Sequence, residues 1–424
     1  MKQHRVVVTG IGVVTPIGIG RKVFWDGLIS GQNGVSNITL FDAADYRSQM
    51  AGEVKDFHAE DWMDRKQAKR MDRFTHFGLV AADLAIKDAG LDAYPFDGLR
   101  AGVIIGSGIG GMRTIEAGHA SLLEKGPRSV GPLVVSGALI NTAACAVSIN
   151  HGLKGPISAP SVACSTGANA IGDASRILER GDADVMLAGG AEASISPFPF
   201  AGFCAARAMS SRNDDVKHAS RPFDRDRDGF VMGEGAGIVV LESLDHALQR
   251  NAPIYAELVG YGNTADAYHI TAPDPNGDGM IRVMKAALQD ANLGVSDIGY
   301  VNAHGTSTIL NDKAESAAVV KVFGEYSGQL KISSIKSMIG HLLAAAGAVE
   351  FAATVLSIST GQIPPTINFE NADPDGHLDY VTQGAESINL SAAMSQSFGF
   401  GGGNACLVVK RYDKGHSTSQ DKRS

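Results

Sequence analysis

The sequence runs to 424 residues, long enough for two domains or for one large duplicated unit. Its 44% hydrophobic and 19% charged residues are those of a globular chain, and a formal charge of −8 excludes a general nucleic-acid binder, which needs excess positive charge. The 51 glycines follow no collagen-like period and are assigned to tight turns and close backbone packing.

No stretch reaches the roughly 18 uncharged apolar residues of a membrane span. The start, Met1-Lys2-Gln3-His4-Arg5, leads straight into Val6-Val7-Val8 without the apolar core of a signal peptide. Predicted elements then alternate between β-branched runs and Ala-rich helices. Val6–Val14 reads as a strand and Phe74–Ala89 as a helix stopped by Gly90. Ala101–Gly106, Ala183–Gly189 and Ala236–Glu242 read as strands. In the second part Ile254–Gly260, Ile298–Ala303 and Leu330–Ser333 read as strands, Gly279–Ala291 and Leu342–Thr360 as helices. Ser395–Lys410 closes the chain as a Gly-interrupted strand pair. This rhythm predicts α/β layering, with two similar halves, residues 1–255 and 256–412, and a polar tail over 413–424.

Two motifs invite a cofactor or a metal. Gly106-Ser107-Gly108-Ile109-Gly110-Gly111 satisfies GxGxxG, but it lies a hundred residues in and lacks the acidic residue a dinucleotide fold needs after the next strand. A glycine-lined turn beside a pocket is the better reading. Asp224-Arg225-Asp226-Arg227-Asp228-Gly229 imitates a calcium loop, yet Glu234 falls one residue early and the arginines repel a cation. Internal ion pairing in a structural turn is expected there.

The four cysteines, Cys145, Cys164, Cys204 and Cys406, form no CxxC pair and no zinc spacing. They are expected as reduced thiols in a cytosol. Cys164 stands apart, because Ser161-Val162-Ala163-Cys164-Ser165-Thr166-Gly167 places it before a helix running to Gly181. The positive end of that helix is expected to favour thiolate. Val301-Asn302-Ala303-His304-Gly305-Thr306-Ser307-Thr308 puts a histidine where a strand ends. Ser333-Ser334-Ile335-Lys336-Ser337-Met338-Ile339-Gly340-His341 puts a lysine and a second histidine before a helix. Phe398-Gly399-Phe400-Gly401-Gly402-Gly403-Asn404 offers a backbone able to approach a ligand, with an aromatic inside it.

Together these segments resemble the Cys, HGTST, KSxxGH and GFGG motifs of the β-ketoacyl-acyl-carrier-protein synthases, most closely the synthase II branch. The similarity runs from Val6 to Lys410 and includes Arg221-Pro222-Phe223-Asp224 and Gly233-Glu234-Gly235-Ala236-Gly237. It implies a thiolase-like fold of five α-β-α-β-α layers from two duplicated halves, and a homodimer. It implies no cofactor and no metal, the acyl and malonyl thioesters being carried on the phosphopantetheine of an acyl carrier protein. Cys164 would be the nucleophile, with the backbone N–H groups of Cys164 and Phe400 as oxyanion hole. His304 and His341, both neutral, would stabilise the enolate left by decarboxylation. Lys336 and Glu350 would form a buried pair ordering the site. Thr306 and Thr308 would hold the phosphopantetheine arm, Phe400 would gate the acyl pocket, and Ile109 and Phe203 would line it.

Arg65-Lys66-Gln67-Ala68-Lys69-Arg70-Met71-Asp72-Arg73 is a basic run in an acidic chain. With Arg128 and Arg207, its Lys66, Lys69 and Arg70 match positions at which the family docks its acidic carrier. Two residues depart from the family pattern: Ile339 and Gly403 each stand where threonine is usual, close to the site. A polyketide or polyene ketosynthase working with a partner subunit, as a heterodimer, stays open as an alternative. A non-catalytic chain-length subunit is disfavoured by Cys164, and a thiolase, with its second cysteine, by the KSxxGH lysine and histidine.

Overall fold

Val6–Thr15 (β1) is buried along all ten residues, as a strand covered on both faces must be. A computed structural model describes residues 4–373 and 378–413; apart from Asp413, the expected tail lies outside the described residues. After β1 the first half continues with α1 (Arg73–Ala89), β2 (Ala101–Gly106), α2 (Thr142–His151), β3 (Ile157–Ser158), α3 (Thr166–Glu179), β4 (Val185–Glu192) and β5 (Gly235–Ser243). The second half gives β6 (Ala256–Ala265), α4 (Asp278–Ala291), β7 (Ile298–Asn302), α5 (Ile309–Phe323), β8 (Lys331–Ser333), α6 (Ala346–Thr360), β9 (Ala392–Phe398) and β10 (Gly403–Lys410).

The two halves repeat one topology. In space the strands run β3-β2-β4-β5-β1 in the first and β8-β7-β9-β10-β6 in the second. The first two contacts in each list are parallel and the last two antiparallel. Val6–Val8 of β1 pairs with residues 256–258 of β6, joining both halves into one twelve-stranded sheet. Helix α1 covers β1 and β5, α4 covers β6 and β10, and α3 and α6 pack on each other between the half-sheets. The result is five layers.

Glycines mark the repeat. A Cβ on Gly10 or Gly12 of β1 would lie 2.3 Å from the Ala85 carbonyl oxygen or 1.9 Å from that of Ala81, both on α1. In β6, Gly260 and Gly262 stand in the same relation to Ala287 and Val283 of α4, at 2.4 and 2.3 Å. Only a residue without Cβ lets helix and strand approach this closely.

Helix α1 ends as expected, with Gly90 left-handed at φ 69°. The expected continuous helix over 342–360 is instead broken: Leu343 takes φ 49°, a 3-10 turn spans Leu343–Ala345, and α6 begins at Ala346. By length and composition Leu343–Thr360 would suffice to cross a membrane, although it is not a run of uncharged apolar residues. It is a core helix, buried from Ala346 to Ile358, and it carries Glu350.

The Asp224–Asp228 segment is the ion-paired turn expected of it. Asp224 accepts from the backbone of Asp226, Glu370 and Asn371 and pairs with Arg221, while Arg227 pairs with Asp373.

Candidate active site

Cys164 lies in a 3-10 turn, Ala163–Ser165, immediately before α3, with Ala163 at φ 46°. Positive φ at a non-glycine costs on the order of 1–3 kcal/mol and persists only where surroundings enforce it. Here the Val162 N–H donates to Thr166 Oγ1 at 2.7 Å and Ser165 Oγ donates to the Val162 carbonyl at 2.9 Å. The turn repeats in the second half as Leu343–Ala345, with Ala344 where the first half has Cys164. Only one of the two elbows carries a thiol.

The thiol is 8% exposed. Burial pushes it up to about 11, outweighing the pull of the Lys336 charge and of the Phe400 amide. This corrects the expectation of a thiolate favoured by the helix end: desolvation of a buried anion is the larger effect. Cys164 is therefore a protonated thiol at neutral pH.

His304 follows β7. Its N–H and that of Gly305 each donate to the Glu315 carboxylate at 2.7 Å, and the N–H groups of Thr306 and Ser307 donate to Asp312 at 3.0 and 3.1 Å. Both acids project from the first turns of α5 and clamp the histidine turn. Sequence reasoning missed them. The signal available was a pair of acids three apart just after HGTST, on the apolar side shared with Ala314 and Ala318. Burial pushes Glu315 up to about 7.

Lys336 is buried and ion-pairs with Glu350 from α6. Its Nζ also donates to the His304 carbonyl at 2.5 Å and approaches His304 Nδ1 at 3.3 Å. An ammonium has no lone pair, so Nδ1 accepts and the His304 proton sits on Nε2. His341 is fixed by its backbone N–H to Val231 at 2.7 Å, and its Nδ1 has no partner among the described residues. The two imidazoles stand 5.3 Å apart at 85°. Burial and the Lys336 charge hold both well below the ordinary histidine value, so both are neutral. Cys164 Sγ and one nitrogen of each histidine all lie within 4.8 Å of one another. Sulfur and two imidazoles are also donors a soft divalent ion accepts.

These groups meet on a cavity of about 350 Å³, which Thr306, Thr308, Phe203, Arg207 and Phe400 also line. The Thr306 and Thr308 hydroxyls are 2.9 Å apart. Phe400 is 40% exposed, at the mouth, and its amide contacts the Cys164 sulfur. Gly401 and Gly402 beside it take φ 85° and 76°. Lys336 and Glu350 stand behind His304. Ile109 does not line this cavity; it packs against the apolar cluster that includes Cys164, Phe200 and Leu343.

The departures have local causes. A Cβ on Gly403 would lie 2.5 Å from Val162 Cγ1, so glycine there makes room for the valine of the nucleophile turn. Ile339 is fully buried in the central core. Lys66, Lys69, Arg70 and Arg128 are exposed and none of them lines the cavity. Arg73, the end of the basic run, turns inward to Glu234 at 2.7 Å.

The strained thiol turn and the two neutral imidazoles thus face one cavity in a five-layer duplicated fold. Residues 3–247 match the family described as Beta-ketoacyl synthase, N-terminal domain, and residues 255–370 its C-terminal domain. The chain is 49% identical over 97% of its length to the 3-oxoacyl-(acyl-carrier-protein) synthase 2 of Synechocystis sp., covering 99% of that protein. It is 51% identical, with the same coverage, to the synthase of that name from Staphylococcus aureus. Among solved structures it superposes with TM-score 0.91 and 36% identity on a type II PKS acyl-carrier protein in complex with its ketosynthase, covering 97% of this chain and all of that one. A Beta-ketoacyl synthase from Burkholderia phymatum gives 0.90 and 37% at the same coverage. The chain belongs to the beta-ketoacyl synthase family.

Proposed function

We propose that this chain is a β-ketoacyl-acyl-carrier-protein synthase of fatty-acid elongation, carrying an acyl group on Cys164 and extending it with malonyl-acyl-carrier protein. The observation that carries the reading is the convergence of the Cys164 thiol and the two neutral imidazoles within 4.8 Å at one cavity.

In the first half-reaction Sγ attacks the acyl thioester carbonyl, the backbone N–H groups of Cys164 and Phe400 hold the oxyanion, and the departing carrier thiol takes the Cys164 proton. In the second, the malonyl thioester loses carbon dioxide. The enolate oxygen accepts from His304 and His341, and the carbanion displaces Cys164 from its acyl group. The cysteine leaves as thiolate and regains a proton. Neutral N–H donors suit an enolate, and the Lys336 contact that leaves the His304 proton on Nε2 supports that role. Lys336 acts on His304 rather than on substrate.

Thr306 and Thr308 are assigned to the phosphopantetheine arm, and Lys66, Lys69, Arg70, Arg128 and Arg207 to the carrier surface. No cofactor or metal enters this reading. The enzyme is assigned to the cytoplasm as a homodimer. Both residues of β3, at the open sheet edge, are exposed, and Leu123, Val135, Leu139 and Ile149 expose apolar surface nearby. A second copy pairing along β3 would close that edge.

The test separates the half-reactions. His304→Ala and His341→Ala should each slow malonyl decarboxylation by about 10²–10³-fold, the usual cost of one oxyanion donor. Mass spectrometry should still find acyl-Cys164 in both. Failure of both variants to acylate would contradict the division of labour.

A further inference from the structure

The GxGxxG turn has no place in the chemistry above, yet a buried carboxylate organises it. Glu192, the last residue of β4, is fully buried. Its partners are four neutral donors. The Gly108 N–H donates to Oε2 at 2.8 Å, Ser107 Oγ to Oε1 at 3.2 Å and Ser194 Oγ to Oε1 at 3.0 Å; the Ile109 N–H is the fourth. Ser107 Oγ in turn accepts from the Gly110 N–H at 3.0 Å, so the carboxylate reaches through one hydroxyl to the far side of the turn. A Cβ on Gly108 would lie 2.8 Å from Oε2, which explains the glycine. Burial pushes Glu192 up to about 7, outweighing the four donors that pull it down.

Three of those contacts fall on residues 107–109, and they fix where Ile109 stands. The Ile109 side chain packs on the apolar cluster that includes Cys164, Phe200 and Leu343. Cys164 itself belongs to that cluster, so an acyl chain on its sulfur that extends to the apolar side meets it. We propose that Glu192 is a specificity-determining positioning residue: by holding the 107–110 turn it sets how far Ile109 intrudes behind Cys164, and so which acyl lengths the thiol accepts. The inference rests on the acyl-thiol reading of Cys164. Glu192 touches no substrate; it acts through Ile109.

The test measures acyl-Cys164 formation by mass spectrometry with hexanoyl and tetradecanoyl groups on acyl carrier protein. Wild type is compared with Glu192→Gln, Ile109→Ala and the double variant. Glutamine keeps the size but turns an amide N–H₂ toward donors. The ratio of long- to short-chain acylation should shift about fivefold or more in each single variant, and the double variant should shift no further than the larger single, as coupled neighbours do. Malonyl decarboxylation, measured with Glu192→Gln in a Cys164→Gln background, should stay within about twofold of that parent, a readout that general loosening of the site would move. An unchanged ratio, independent shifts that multiply, or a parallel loss of decarboxylation would overturn the proposal. Should Glu192→Gln not fold, Ser194→Ala removes one of the four donors and should shift the ratio the same way; an unchanged ratio there would also overturn it. Absence of any acyl-Cys164 in wild type would instead contradict the function proposed above.

Discussion

His304 and His341 were legible as candidates because each ends an element in a small-residue turn. The resemblance implied neutral rings, but what holds them neutral was not legible: it is burial and Lys336, thirty-two residues from one of them in sequence. The same holds for Cys164, whose helix-end position suggested a thiolate while its burial gives a thiol pushed up to about 11. The histidine shifts set a pH prediction. Both are held well below the ordinary histidine value of about 6.5, so malonyl decarboxylation in the Cys164→Gln variant should stay flat as pH falls from 7.5 through 6.5. A loss centred near 6.5 would contradict the neutral pair. Stability follows with a definite sign. Below 6.5 the unfolded histidines bind protons that the folded ones do not, so these two residues destabilise the fold as pH falls from 6.5 toward their depressed folded values.

Strand β2 was read over its full length, and α4 to within one residue, because alternation and capping signals are local. The break before α6 was not read, since an Ala-rich run with no Gly or Pro at Leu343 looks like uninterrupted helix. Its signal lay in the repeat: Ala163-Cys164-Ser165-Thr166-Gly167 and Leu343-Ala344-Ala345-Ala346-Gly347 are equivalent turns, with Gly167 and Gly347 where α3 and α6 cross. Glu192 was missed because no local pattern tells a buried acid that holds a turn from a solvated one; Asp312 and Glu315 were marked only by their place on the apolar side of α5. The Gly403 departure, by contrast, has a partner to test. Gly403→Ala should press on Val162 and disturb the nucleophile turn, costing about 1–3 kcal/mol of stability by overpacking and slowing acylation of Cys164. Adding Val162→Ala should restore most of both. Thermal melts and acylation rates of the single and double variants check this, and an additive double variant would refute the contact.

At the scale of the whole molecule the chain is acidic, −8 overall, yet exposes Lys66, Lys69 and Arg70 together. Asp64 caps the short helix Arg65–Ala68 through the N–H groups of Lys66 and Gln67, presenting those cations on an ordered element. Reversing Lys69 and Arg70 to Glu should raise KM for carrier-bound thioester and scarcely change turnover of a small free thioester. The difference should shrink as salt rises, because exposed charges are screened beyond about 8 Å at physiological ionic strength. Equal losses with both substrate forms would make the run a solvated face.

In the proposed reaction one thiol among four cysteines holds the growing chain. Incubating the enzyme with acyl-acyl-carrier protein, digesting it and weighing the peptides locates that thiol. The peptide containing Cys164 should gain one acyl mass, lose it on addition of malonyl-acyl-carrier protein as 3-oxoacyl product appears, and gain nothing in the Cys164→Ala variant. An acyl mass on Cys145, Cys204 or Cys406 that discharges into product, or product formed at the wild-type rate by Cys164→Ala, would contradict the account.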